Sequence, residues 1–166
     1  MTGIVSYAPY LPLYRLNRAE IGRAWGSRGK GEKAVAAHDE DSLTMAVAAA
    51  QSCLKGIDLS TIDAVFFAST TAPYEEKQCA ATIAAVLAMG ADTYSCDFGG
   101  SLRCGTNALR AAVDAVNGGS ARNVLVCVAD SRLGMPNGAN EMAFGDGAAA
   151  FVIGSEGVVA SVDSMY

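Results

Sequence analysis

The sequence predicts an α/β fold, a mixed central sheet covered by helices. Three features carry that expectation. Residues 62–70 and 124–129 are apolar at successive positions, which suits strands buried on both faces in the middle of a covered sheet. Segments such as 43–54 and 105–116 instead repeat apolar residues at helical spacing. Glycine turns separate the two kinds of segment, so strands and helices alternate along the chain.

At 166 residues the chain is one domain with room for a real core, and 51% of its residues are hydrophobic. The formal net charge is −5, and Lys and Arg form no stripe, which argues against nucleic acid as the main partner. No apolar run is long enough to span a bilayer, so no membrane association is expected. The opening residues lack the basic and apolar regions of a signal peptide. Five cysteines (Cys53, Cys79, Cys96, Cys104 and Cys127) include no CxxC pair, and His38 is the lone histidine. That donor set predicts no metal site and fits a reduced, cytoplasmic setting.

Taken in order, Gly3 to Tyr10 alternates as a strand that Pro12 ends. A short helix then starts near Asn17, a good cap, and places Ile21 and Trp25 four apart. Residues 26–33 form a polar, glycine-rich loop in which Lys30 and Lys33 could meet a phosphate, although a solvated loop is the plainer reading. His38 lies in a loop among acids, and Asp41 or Ser42 caps the long helix that Gly56 stops. After the strand at 62–70 come a loop at 71–78, a small-residue helix at 79–89 and a strand at 93–98. The helix at 105–116 ends at Gly118-Gly119, and the strand at 124–129 follows. Residues 132–140 read as a loop, a glycine turn at 144–147 feeds an apolar strand, and a last strand begins in 158–162.

The segment from Asp97 to Leu109 organises the rest. It reads as the end of a buried strand, a tight bend at Gly99-Gly100 and the start of a helix. Such a bend lifts a side chain off the sheet edge, and a helix N-terminus offers partial positive charge to an anion. Around it stand Gly3-Ile4-Val5-Ser6-Tyr7 with Tyr14-Arg15, Asp39-Glu40-Asp41 before Thr44-Met45-Ala46, and Gly105-Thr106 before Ala108-Leu109. Ala129-Asp130-Ser131 and the turn from Phe144 to Ala150 complete the set. Together these motifs resemble the thiolase-fold condensing enzymes, in particular archaeal and bacterial hydroxymethylglutaryl-CoA synthase. The last motif also resembles the ketoacyl synthases that start fatty-acid chains.

The resemblance implies a thiolase-like half-domain whose function is acyl transfer from a CoA thioester with carbon–carbon bond formation, using acyl-CoA as substrate and no other cofactor. It implies that residues 1–166 match the N-terminal half of a two-half enzyme, so the isolated chain is expected to be inactive. The missing half is either shortened away or supplied by a second polypeptide. It also implies a homodimer joined through the strand at 93–98, and possible partners in a thiolase and an OB-fold, zinc-ribbon protein.

Two positions depart from the family pattern. The nucleophilic cysteine belongs four residues before the threonine of the Gly-Thr pair, and Leu102 stands there. The general-base glutamate belongs at Thr70. Cys104, near a helix N-terminus, is the candidate catalytic residue, a displaced nucleophile with a lowered pKa. Glu75 or Glu76 is the candidate substitute base. The alternative is a non-condensing or pseudo-enzyme subunit that binds acyl-CoA or scaffolds a partner complex.

Overall fold

The computed structural model describes residues 1–164. Its centre is a six-stranded mixed sheet. The strands are β1 (Gly3–Tyr10), β4 (Ile62–Ala68), β5 (Tyr94–Phe98), β6 (Asn123–Asp130), β7 (Gly147–Gly154) and β8 (Ala160–Ser161), in the order β5-β4-β6-β7-β1-β8. The β5, β4 and β6 strands run parallel, while β7, β1 and β8 join antiparallel. The expected mixed sheet is therefore present, with its apolar strands in the middle.

Alternation explains why the central strands read as unbroken apolar runs. In β4, Val65 and Phe67 enter one core while Ala64, Phe66 and Ala68 enter the other. Strand β6 does the same, sending Leu125, Cys127 and Ala129 one way and Val124 and Val126 the other. Each face needs its own helical cover. Helices α2 (Ser42–Cys53) and α3 (Cys79–Val86) cover the first face, and α4 (Cys104–Asn117) the second. Small residues on α2, including Ala46, Ala49 and Ala50, are fully buried and let this helix lie close to the sheet.

The helix starts follow local chemistry. Helix α1 (Arg18–Trp25) is capped by the Asn17 side chain, which accepts from Ala19 N–H at 2.9 Å, and ends at Gly26 in the left-handed region. Asp41 caps α2 reciprocally with Thr44, each side chain taking the other's backbone N–H. Helix α3 has a tertiary cap. The Asp97 carboxylate, reaching over from β5, accepts from Cys79 N–H at 2.6 Å and Ala80 N–H at 2.7 Å.

Several elements differ from expectation. The loop read at 26–33 leads into β3 (Glu32–Val35), which pairs antiparallel with β2 (Tyr14–Asn17) in a separate two-stranded sheet. Neither strand alternates cleanly enough to announce itself, and their pairing is a long-range event. Helix α3 stops at Val86 rather than reaching 89, because the chain turns into a left-handed residue at Ala88. A short helix α5 (Ala139–Ala143) closes the loop read at 132–140. The last strand is only the two-residue β8.

Candidate functional site

The parallel strands β4, β5 and β6 present their C-terminal ends at one edge of the sheet, where α/β proteins place ligand-binding loops. Register determines which residues meet there. Ala68 pairs with both Phe98 and Val128, so the residues beyond these pairs fall side by side. They are Ser69-Thr70-Thr71 after β4, the glycine bend after β5, and Asp130-Ser131 at the end of β6.

Asp130 is the hub. Its Oδ1 accepts from Thr70 N–H (2.7 Å), Thr70 Oγ1 (3.0 Å), Ser69 Oγ (3.1 Å) and Thr71 Oγ1 (3.1 Å). Ser131 N–H in turn donates to Thr71 Oγ1 at 2.9 Å, and buried Ser42 donates to Thr71 O at 2.8 Å. One carboxylate oxygen thus ties the end of β4 to the end of β6. The bend lies directly against this knot: Ser69 N–H donates to Phe98 O at 3.1 Å, and an added Cβ at Gly99 would come 3.5 Å from Ser69 O.

In the bend itself, Gly100 has φ +71, a conformation that glycine adopts without a Cβ penalty. Leu102 follows and is 77% exposed. Cys104 begins α4 and is only 5% exposed. Burial pushes its thiol up, and the nearby Asp130 carboxylate adds to the rise. The lowered pKa expected from the helix N-terminus is therefore corrected: desolvation and a neighbouring negative charge outweigh the backbone N–H groups of Gly105 and Cys104, which act to lower it. Ser101 takes the first donors of α4, its Oγ accepting from Arg103 N–H at 3.1 Å and its carbonyl from Cys104 N–H at 3.0 Å, which leaves Gly105 and Thr106 as the first-turn N–H groups without a backbone partner.

Glu75 and Glu76 lie on the exposed loop after β4. With Ser69, Tyr74, Cys96, Asp97 and Gly99 they line a cleft of about 410 Å³, of which Cys104 is not a lining residue. Lys30 and Lys33 diverge. Lys33 donates to Glu141 O at 2.8 Å, whereas Lys30 joins Arg23 and Arg28 around a concavity of about 520 Å³. His38 sits exposed on a turn. Among the described residues no His/Cys/Asp/Glu cluster of three or more could hold a metal ion, and no helix is long and apolar enough to cross a membrane.

Residues 96–164, which contain the bend, Asp130 and the glycine turn before β7, match the 3-oxoacyl-[acyl-carrier-protein] synthase III family. The chain has the thiolase-like fold of the condensing enzymes. This thiolase-like domain is 39% identical over 158 residues to hydroxymethylglutaryl-CoA synthase from Pyrococcus horikoshii, covering 93% of the chain and 45% of that protein. The enzyme of the same name from Archaeoglobus fulgidus is 35% identical over 176 residues, covering 100% of the chain and 51% of that protein. The chain thus spans about half the length of these curated relatives, and the match is to their N-terminal half. Among solved structures, the β-ketoacyl-[acyl carrier protein] synthase III of Thermus thermophilus aligns with a TM-score of 0.83 at 25% identity, covering 92% of this chain and 51% of that one. MvaS in complex with 3-hydroxy-3-methylglutaryl coenzyme A aligns at 0.85 and 24%, covering 94% and 40%.

Asp130 was legible in the sequence as part of a motif, but nothing there assigned it a role. A polar residue ending an unbroken apolar strand is the signal that marks such a position. The Ser69-Thr70-Thr71 run was legible in the same way, as hydroxyls at the end of the neighbouring strand.

Proposed function

We propose that this domain is the N-terminal half of an acyl-CoA-binding condensing enzyme resembling hydroxymethylglutaryl-CoA synthase, completed by a second half-domain. The observation that carries this reading is the 39% identity to such synthases over 93% of the chain. The geometry supports it at the sheet edge, where a glycine bend meets the start of α4 and the Gly105 and Thr106 N–H groups have no backbone partner to compete with a thioester oxygen. The concavity at Arg23, Arg28 and Lys30 offers cations for the phosphates of CoA. No further cofactor enters this reading.

Other parts of the reading are proposals of the same kind. The free edge of β5 suits a homodimer made by continuing the sheet into a second copy. A thiolase and an OB-fold, zinc-ribbon protein are the further partners that the resemblance suggests. All five cysteines are free thiols, which suits a reducing, cytoplasmic setting.

A second reading deserves its place because Leu102 is the side chain presented at the bend and Cys104 is buried behind it. In that reading the domain binds acyl-CoA without a covalent acyl-enzyme. One experiment separates the two. The full-length protein is incubated with acetyl-CoA, and binding by calorimetry is compared with covalent mass by mass spectrometry, alongside Cys104→Ala. An acetyl adduct lost in the variant makes Cys104 the nucleophile. Binding without an adduct selects the non-covalent reading, and the absence of binding refutes both.

A further inference from the structure

We propose that the free carboxylate oxygen of Asp130 is the proton acceptor of this half-site, taking the role left open by Thr70. The proposal rests on the acyl-CoA reading above and deepens it.

A general base at carbon must be held still relative to the proton it removes. Asp130 meets that requirement on one side and stays open on the other. Its Oδ1 is anchored by one backbone N–H and three hydroxyls, at 2.7–3.1 Å. Its Oδ2 takes no hydrogen bond among the described residues, and no described buried side-chain oxygen lacks a partner. Oδ2 of this half-buried residue is therefore not sealed in the core. Thr70 contributes both its N–H and its hydroxyl to the anchor, so the residue at the family's base position now orients a different carboxylate.

Other acids near this edge lack the combination. Both oxygens of Asp97 are engaged at the N-terminus of α3. Both oxygens of Glu40 are engaged, one by Tyr10 OH and one by Ala37 N–H. Asp146 is held by one bond, from Ala36 N–H at 2.7 Å, and lies beside β7, across β6 from β4 and the bend. Glu75 and Glu76 are exposed and make no hydrogen bond among the described residues, so nothing fixes them.

The step balances without any added reagent. The α-carbon–hydrogen bond of the acyl thioester breaks and its proton forms an O–H bond on Asp130 Oδ2. The electron pair moves onto the thioester oxygen as an enolate, and the Gly105 and Thr106 N–H groups, which have no backbone partner in the first turn of α4, are the donors on the same edge for that charge. Return of the proton restores the carboxylate.

The test is α-proton exchange of acetyl-CoA in deuterium oxide, followed by NMR on the full-length protein, with affinity measured separately by calorimetry. Asp130→Asn keeps an oxygen for the same donors and loses the ability to accept a proton. It is expected to slow exchange by about 100-fold or more while affinity stays within about threefold. Adding Thr70→Glu to that variant returns a carboxylate to the neighbouring position and is expected to recover part of the exchange. Exchange undiminished by Asp130→Asn overturns the proposal. So does tight binding of acetyl-CoA by the unaltered protein with no exchange at all. Failure of the unaltered protein to bind acetyl-CoA overturns the acyl-CoA reading instead, and the proposal falls with it.

Discussion

Cys104 and Leu102 show how little a residue's type says about its chemistry until its depth is known. Two positions apart in sequence, one is 5% exposed and the other 77%. The bend turns Leu102 outward and carries Cys104 into the first turn of α4, against the sheet. Burial and Asp130 then hold the thiol protonated. Labelling with iodoacetamide at neutral pH is expected to modify half-buried Cys96 well before Cys104, as read by peptide mass spectrometry. Reaction at Cys104 should accelerate only as pH rises past the ordinary thiol value of about 9. Rapid labelling of Cys104 at neutral pH would restore it as an activated nucleophile. The candidate residues were visible in the sequence; their protonation was not, because neighbours distant in sequence impose it.

At the scale of elements, local signals succeeded where the partner was local. Asp41 and Thr44 lie three apart and form their capping box without help from the rest of the fold. Asp41→Ala is expected to cost about 1 kcal/mol of stability, read by urea denaturation; a change below a few tenths would mean that Ser42 or water replaces the cap. The cap of α3 was invisible in the same terms, because Asp97 arrives from the next strand, 17 and 18 residues away along the chain. Strands β2 and β3 were missed for a related reason. Their pairing places Tyr14 opposite Val35, and only the closed loop between them makes it possible. Gly29 is part of that closure: an added Cβ would sit 1.9 Å from Arg18 O.

The whole molecule buries four thiols, and this gives its stability a pH dependence. Burial raises Cys53, Cys79, Cys104 and Cys127 above the usual thiol value. A group whose folded pKa is raised contributes stability that is complete below its unfolded value and is lost as pH rises through the folded one. Stability is therefore expected to be flat with respect to these thiols below about pH 9 and to fall above it, as the unfolded chain ionises first. Denaturant midpoints compared between pH 8 and 10 check this, with Cys127→Ala expected to flatten the slope; an unchanged slope in that variant would assign the dependence to other groups. By itself the sequence determined the fold class, the central strands, the capped helices and the bend, since apolar periodicity and turn chemistry are local properties of the chain. Only the tertiary structure decided that β4 and β6 end in register, which brings Asp130 onto the Ser69-Thr70-Thr71 run and leaves one of its oxygens open. Spacing along a chain does not measure that distance; strand order and register do.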